Sequence, residues 1–389
     1  MRKEDTISFI VYLVMIVFAV VIGFTVLMPL MNNLAKESLI PFNNAFLFAI
    51  VVVLAAIVFN AILFEVGHLL GAKLGGYKIA MFNIFGFAFY RKKGKMRFGF
   101  KNFDGLTGET KLIPKSDKSN PKPYLWFPIL FFALEILAVV LVCFFVNGIK
   151  DTDAKRSVLW LLSSSTIFAA VGSMIIIYDY IPARLDSMTD GYRLTLLNKP
   201  INKIAFNKML EIEYADFNGD KAKNITVFDE ITDFTASINM MKVYEYLDSE
   251  NYKEALELLN KIIADPKLVN ADTYNSAVAQ ILSIKLLTED PNLVSEYYKS
   301  INSYVRKYLT SSYTMEAVRA YLLISALIEN SKNETKFAME RKAKAMKRTI
   351  DGRKQTEEKL YNLSIERIKS ISPKMLEEDE TSEPNDQNQ

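Results

Sequence analysis

The chain has 389 residues, half of them hydrophobic, with 47 Lys and Arg against 44 Asp and Glu. Length and composition allow one membrane domain plus one soluble domain, and they exclude a natively disordered chain. A single cysteine, Cys143, excludes a disulfide framework or a Cys-rich metal site, and a single histidine, His68, excludes any site that needs two.

Charge is distributed unevenly. No charged residue occurs from Thr6 to Ala35 or from Ser38 to Phe64. A bilayer core takes about 20 apolar residues of helix. Four segments meet that length: 7–31, 44–70, 124–146 and 158–178. The first is too long for a signal-peptide core and is followed by no small-residue cleavage site, so it reads as an uncleaved anchor. The loop 72–122 carries twelve Lys and Arg against Asp104, Glu109 and Asp117, whereas the loop after the first span carries only Lys36. Positive loops stay in the cytoplasm. The expected topology is therefore a multi-pass protein of a bacterial-type plasma membrane with both termini cytoplasmic. Within the basic loop, 79–90 and 96–100 read as two extended runs around Lys92-Lys93-Gly94-Lys95, a β-hairpin that lies against the membrane face with Phe82, Phe85, Phe87 and Phe89 available for burial.

Near the end of the second span stands Phe64-Glu65-Val66-Gly67-His68, and after the fourth comes Asp179-Tyr180-Ile181-Pro182, with Asp190-Gly191 beyond. In these motifs and their order, residues 44–200 resemble the site-2 protease family of intramembrane metallopeptidases. That family carries His-Glu-x-x-His on a transmembrane helix, then Asn-x-x-Pro and Asp-Gly. Residues i and i+4 share one helix face, so two imidazoles can hold one zinc, and the intervening Glu activates its water. The resemblance makes Glu65 a vestigial general base and His68 and Asp190 an incomplete set of metal ligands, with Gly67, Pro182 and Gly191 as supporting positions. Phe64 stands where the first His belongs and cannot ligate a metal; Asp179 stands where Asn is usual. Two inherited ligands fall short of the three of a catalytic zinc site. The implied protein is a non-catalytic pseudoprotease with no cofactor, or zinc if it is active.

Glu135, in the middle of the third span, costs a few kcal/mol at that depth, on the order of 2.5 or more. It reads as a substitute ligand beside Asp179, as a protonated structural carboxyl, or as half of a proton pathway with Glu65. Three functions stay open: a pseudoprotease that binds a transmembrane or peptide partner, an active zinc metallopeptidase using Glu135 or Asp179, and an ion or proton pathway through Glu65 and Glu135.

The remainder is expected to be soluble. Residues 201–235 read as a connector. Residues 236–370 read as a cytoplasmic α-helical domain resembling tetratricopeptide repeats, with a helix pair at 238–247 and 251–259 and further helices near 271–288, 292–308, 313–330 and 334–370. Stacked helix pairs offer a surface for a protein partner. The last helix is dense in charge and reads as solvated along most of its length, and the acidic tail 371–389 as disordered. No phosphate-binding glycine loop and no nucleic-acid stripe occurs, so no nucleic acid is expected as a partner. The fold class is mostly α: a four-span helical domain with a small β-hairpin, followed by a helical repeat-like domain.

Overall fold

The computed structural model describes residues 3–38, 41–100, 108–149, 152–185, 188–220 and 224–377. It divides into two compact units, Met1–Tyr214 and Ala215–Gln389. The acidic tail from residue 378 onward lies outside the described residues.

The N-terminal unit begins with α1 (Lys3–Ile22), a π-helical turn over Gly23–Leu27, α2 (Met28–Ser38) and α3 (Phe42–Leu74). After a small sheet come α4 (Lys122–Gly148), α5 (Thr152–Asp179), α6 (Asp190–Leu196) and α7 (Pro200–Asn218), the last of these in the segment read as a connector. Among the described residues, four helical stretches are long and apolar enough to cross a membrane: Thr6–Glu37, Phe42–Leu74, Lys122–Gly148 and Val158–Asp179. Helices α3, α4 and α5 pack on one another. Gly67 sets the α3–α4 approach, since an added Cβ there would come within 2.7 Å of the Pro128 Cα. Pro128 in turn lies inside α4, where its missing N–H leaves one backbone bond unmade.

The sequence pattern suggests one hairpin; among the described residues there are four antiparallel strands in the order β3-β2-β1-β4. They are β1 (Tyr77–Ile84), β2 (Phe87–Lys92), β3 (Lys95–Phe100) and β4 (Gly108–Pro114). The turn at Lys93-Gly94 lies where expected, both residues having positive φ as a two-residue hairpin turn requires. The run 79–90 is broken at Phe85-Gly86, which also has positive φ at both positions (49° and 90°). A phenylalanine is a poor signal for that backbone, because its Cβ crowds the carbonyl there. Tyr77 anchors the sheet's start: its hydroxyl donates to Asn207 Oδ1 on α7 at 2.5 Å, and Asn207 Nδ2 donates to the Ser119 carbonyl at 3.0 Å.

The C-terminal unit is helical: α8 (Asp233–Asp248), α9 (Tyr252–Ile263), α10 (Ala271–Thr288), α11 (Pro291–Ser300), α12 (Ser303–Ser311), α13 (Met315–Leu327), α14 (Lys332–Arg348) and α15 (Lys354–Ile371). Side-chain caps set several starts: Thr232 with Thr235 in a capping box, Asn270, Asp290 before Pro291, Asn302 and Ser331. Two stretches read as single helices are each divided, 292–308 by the Asn302 cap and 334–370 by a 3₁₀ turn at Asp351–Arg353. The last helices are also not solvated throughout. Ala338, Arg341 and Ala345 of α14 and Leu360, Tyr361 and Ile368 of α15 are buried, because a stripe at three- and four-residue spacing turns them toward α13.

Candidate functional site

Glu65, Gly67 and His68 lie on the last three turns of α3, all buried. The His68 ring is fixed from one side by Nδ1, which lies 3.0 Å from the Tyr124 carbonyl oxygen. A carbonyl only accepts, so Nδ1 carries the hydrogen and Nε2 is the free position of the neutral ring. Nε2 faces Asp190 Oδ2 at 3.3 Å.

Asp190 reaches this position from the first turn of α6. Thr189 caps that helix, accepting from the Tyr192 N–H at 3.2 Å and donating to the Ile181 carbonyl at 2.8 Å. Gly191 lies so close to the Tyr180 backbone that a Cβ would overlap it. Pro182 is exposed in the turn between α5 and α6. Arg193 pairs with Asp190 Oδ1 at 3.3 Å, one turn along. Burial pushes the Asp190 carboxyl up to about 6, and the Arg193 charge works against that rise. Asp179, at the end of α5, takes a hydrogen bond from the Asp190 backbone, and its Oδ2 is buried with no hydrogen-bond partner among the described residues.

Glu65 points to the sheet. Thr110 Oγ1 on β4 donates to Glu65 Oε2 at 2.8 Å, and a Cβ on Gly108 would lie 3.2 Å from Glu65 Oε1. Strand β4 therefore lies over the carboxylate. Phe64, one residue earlier, sets its ring edge-on against His68, with centroids 4.7 Å apart and planes at 89°.

The structure does not bring Glu135 to this group. An added Cβ on Gly172 would lie 2.5 Å from Glu135 Oε2 and 2.7 Å from Asn60 Oδ1, so Glu135 sits beside Asn60 and Gly172. Asn60 is five residues before Glu65, about 7.5 Å along the helix axis, and eight before His68, about 12 Å. Neither carboxylate oxygen of Glu135 has a hydrogen-bond partner among the described residues. Its place one to two turns away leaves Asp179 as the nearer candidate for a third ligand.

A tetrahedral zinc with bonds of about 2.0–2.1 Å holds its ligand atoms roughly 3.3–3.4 Å apart. His68 Nε2 and Asp190 Oδ2 have that separation. The third ligand fails the test: Phe64 fills its place, and among the described residues no three His, Cys, Asp or Glu side chains gather into a metal-holding group. Sequence reasoning missed Thr110, Arg193 and the Tyr124 carbonyl. Arg193 was legible as the i+3 neighbour of Asp190, whereas Thr110 needs the sheet register and the Tyr124 contact uses a backbone atom. No family model, curated protein or solved structure matches the chain.

Proposed function

We propose that this chain is a multi-pass integral membrane protein on the site-2 protease plan, with cytoplasmic termini, that has lost peptide-bond hydrolysis and binds a transmembrane or peptide partner through its membrane core. The observation that carries the reading is the Phe64 ring, which stands at the first-ligand position and packs edge-on against His68. The two inherited ligands face each other at 3.3 Å, the third place is hydrocarbon, and Glu65 is engaged by Thr110. A carboxylate with no acidified water to deprotonate has no base chemistry to perform. The membrane reading is supported by the four apolar helices and by the excess of Lys and Arg in the loop 72–122. The helical unit after it supplies stacked helix pairs suited to a protein partner.

Zinc content of the purified full-length protein tests this. The wild type is expected to be substoichiometric in zinc. Phe64→His restores the i, i+4 imidazole pair and should raise zinc occupancy, and adding Asp190→Asn should lower it again. Stoichiometric zinc in the wild type that is lost in Asp179→Asn, with peptide cleavage lost in Glu65→Gln, would overturn the pseudoprotease reading and make Asp179 the third ligand.

A further inference from the structure

Helices α14 and α15 both pack on α13. Between them, Lys342 Nζ meets Glu358 Oε1 at 2.6 Å and lies 4.3 Å from the centre of the Tyr361 ring. Beside that contact runs a groove lined by Met339, Lys342, Ala343, Met346, Lys347 and Lys354. After α15 the chain comes back to α14. The 3₁₀ turn Pro373–Met375 packs on it, and Met375 and Leu376 join the apolar cluster that Met339 and Met346 also cover. The described residues end at Glu377, two residues beyond that contact.

Charge on α14 is unbalanced. The helix carries seven Lys and Arg against Glu334 and Glu340, and Glu334 accepts from the Tyr321 hydroxyl. Elsewhere in this unit cations meet carboxylates: Lys242 with Glu245, Lys261 with Asp229, Lys285 with Glu289 and Lys359 with Glu250. On α14, Lys336, Arg341, Lys344, Lys347 and Arg348 have no carboxylate partner among the described residues. Arg341, Lys344 and Arg348 gather instead around the Tyr313 ring, 5.6, 3.8 and 5.3 Å from its centre. Like charges held that close repel unless an anion joins them. Helical spacing puts Lys336, Lys344 and Lys347 on one side of α14, and all three are exposed.

The opposite imbalance follows in the sequence. After Lys374 come Glu377, Glu378, Asp379, Glu380, Glu383 and Asp386, with no Lys or Arg among them. Extended, 377–386 spans roughly 30 Å, and Lys336 to Arg348 covers about 18 Å of helix axis. The acidic run is thus long enough to follow the basic face from the point where the chain leaves α14.

We propose that residues 377–386 dock along α14, their carboxylates pairing with Lys336, Lys344, Lys347 and Arg348, so that the chain's own acidic segment occupies this basic face. The tether favours this occupant over an acidic peptide from another protein, because a short linker holds a segment at an effective concentration of about a millimolar. The proposal does not depend on the membrane reading or on the fate of the zinc site.

The test has two arms, both on the full chain. In the first, an equal mixture of ¹⁴N- and ¹⁵N-labelled protein is treated with a carbodiimide, which joins carboxylates to lysines in direct contact, and the links are read by mass spectrometry. Links from 377–386 should concentrate on Lys336, Lys344 and Lys347, join residues of the same isotope, and fade in 1 M salt, where the Debye length falls to about 3 Å. In the second, a dye-labelled peptide of residues 377–389 is titrated into the protein and into a variant that stops after Leu376. The shortened chain should bind the peptide at least about tenfold more tightly than the complete one, whose face is already taken. Lys344→Gln and Lys347→Gln in the shortened chain should each weaken binding, by up to roughly fivefold. Links spread evenly over exposed lysines, or no binding by the shortened chain at about 1 mM peptide, would overturn the proposal. Links between isotopes would give the face to a second copy instead. Equal binding by the complete and shortened chains would leave it open to an acidic partner, and either result also overturns the intramolecular contact.

Discussion

Helices α4 and α13 are both rich in large apolar residues and are treated in opposite ways. In α13 every residue from Met315 to Leu327 is buried. In α4, Leu134, Leu137, Leu141, Phe144 and Phe145 are exposed, and only Tyr124, Leu125, Pro128 and Val146 are buried. Polar groups follow the reverse rule. The N-terminal unit hides Asn60, Glu65, His68 and Asp190 among its helices, while the faces of α8–α15 turned away from the core carry Lys, Arg, Glu and Asp in quantity. One unit places much of its apolar surface outward and the other inward, the contrast that the membrane reading proposed above would account for. The motif residues Glu65, His68 and Asp190 all lie buried in the first unit, where an unpaired charge would be costly.

The largest effect expected from this contrast is separability. Residues 215–377, expressed alone, should be monomeric and highly helical by circular dichroism without detergent, because their apolar side chains already meet each other. Residues 1–214 should require detergent. A C-terminal fragment that aggregates in buffer would mean that its apolar surface is completed by the other unit, and the contrast would fail.

A second effect concerns the exception to the inward rule. Arg319 is fully buried in α13, with Nε 2.9 Å from Glu357 Oε2 and its other nitrogens bonded to Ser283 Oγ and Gln280 Oε1 at 2.9 and 3.0 Å. Arg319→Met leaves Glu357 buried without its cation and should cost about 3–5 kcal/mol in urea unfolding of the 215–377 fragment. The double variant Arg319→Met/Glu357→Leu should recover most of that loss, since replacing both charges removes the orphan. If the single variant were neutral, the pair would be hydrated rather than buried.

The long apolar helices were legible because the sequence is uncharged from Thr6 to Ala35 and from Ser38 to Phe64. The sheet was half legible. Lys93-Gly94 announced its turn, Phe85-Gly86 did not, and the alternation Glu109-Thr110-Lys111-Leu112 that builds β4 was passed over inside a loop counted for charge. The helix breaks at Asn302 and at Asp351-Gly352 carried ordinary capping and turn residues and were readable in principle. At the site, the spacing of Glu65 and His68 and the Asp-Gly pair pointed to residues that the fold does gather. Glu135 was drawn in by depth alone. Depth fixes a residue along the membrane normal and says nothing of which helix faces which, and the packing of Gly172 against Glu135 and Asn60 decides that.

The smallest expected effect is also the most direct check on the contrast. Leu322 in α13 is fully buried, and Leu322→Ala should cost about 2–5 kcal/mol, the lost transfer energy plus the cavity left behind. Leu137 in α4 is 51% exposed. In detergent, Leu137→Ala exchanges a side chain that touches acyl chains for a smaller one that does the same, so no protein cavity forms. Thermal unfolding of the full chain should then shift by less than about 0.5 kcal/mol equivalent. A loss at Leu137 as large as that at Leu322 would show that protein, not lipid, covers that face of α4. The outward apolar surface would then be an interface, and the comparison between the two helices would have to be drawn again with a partner in place.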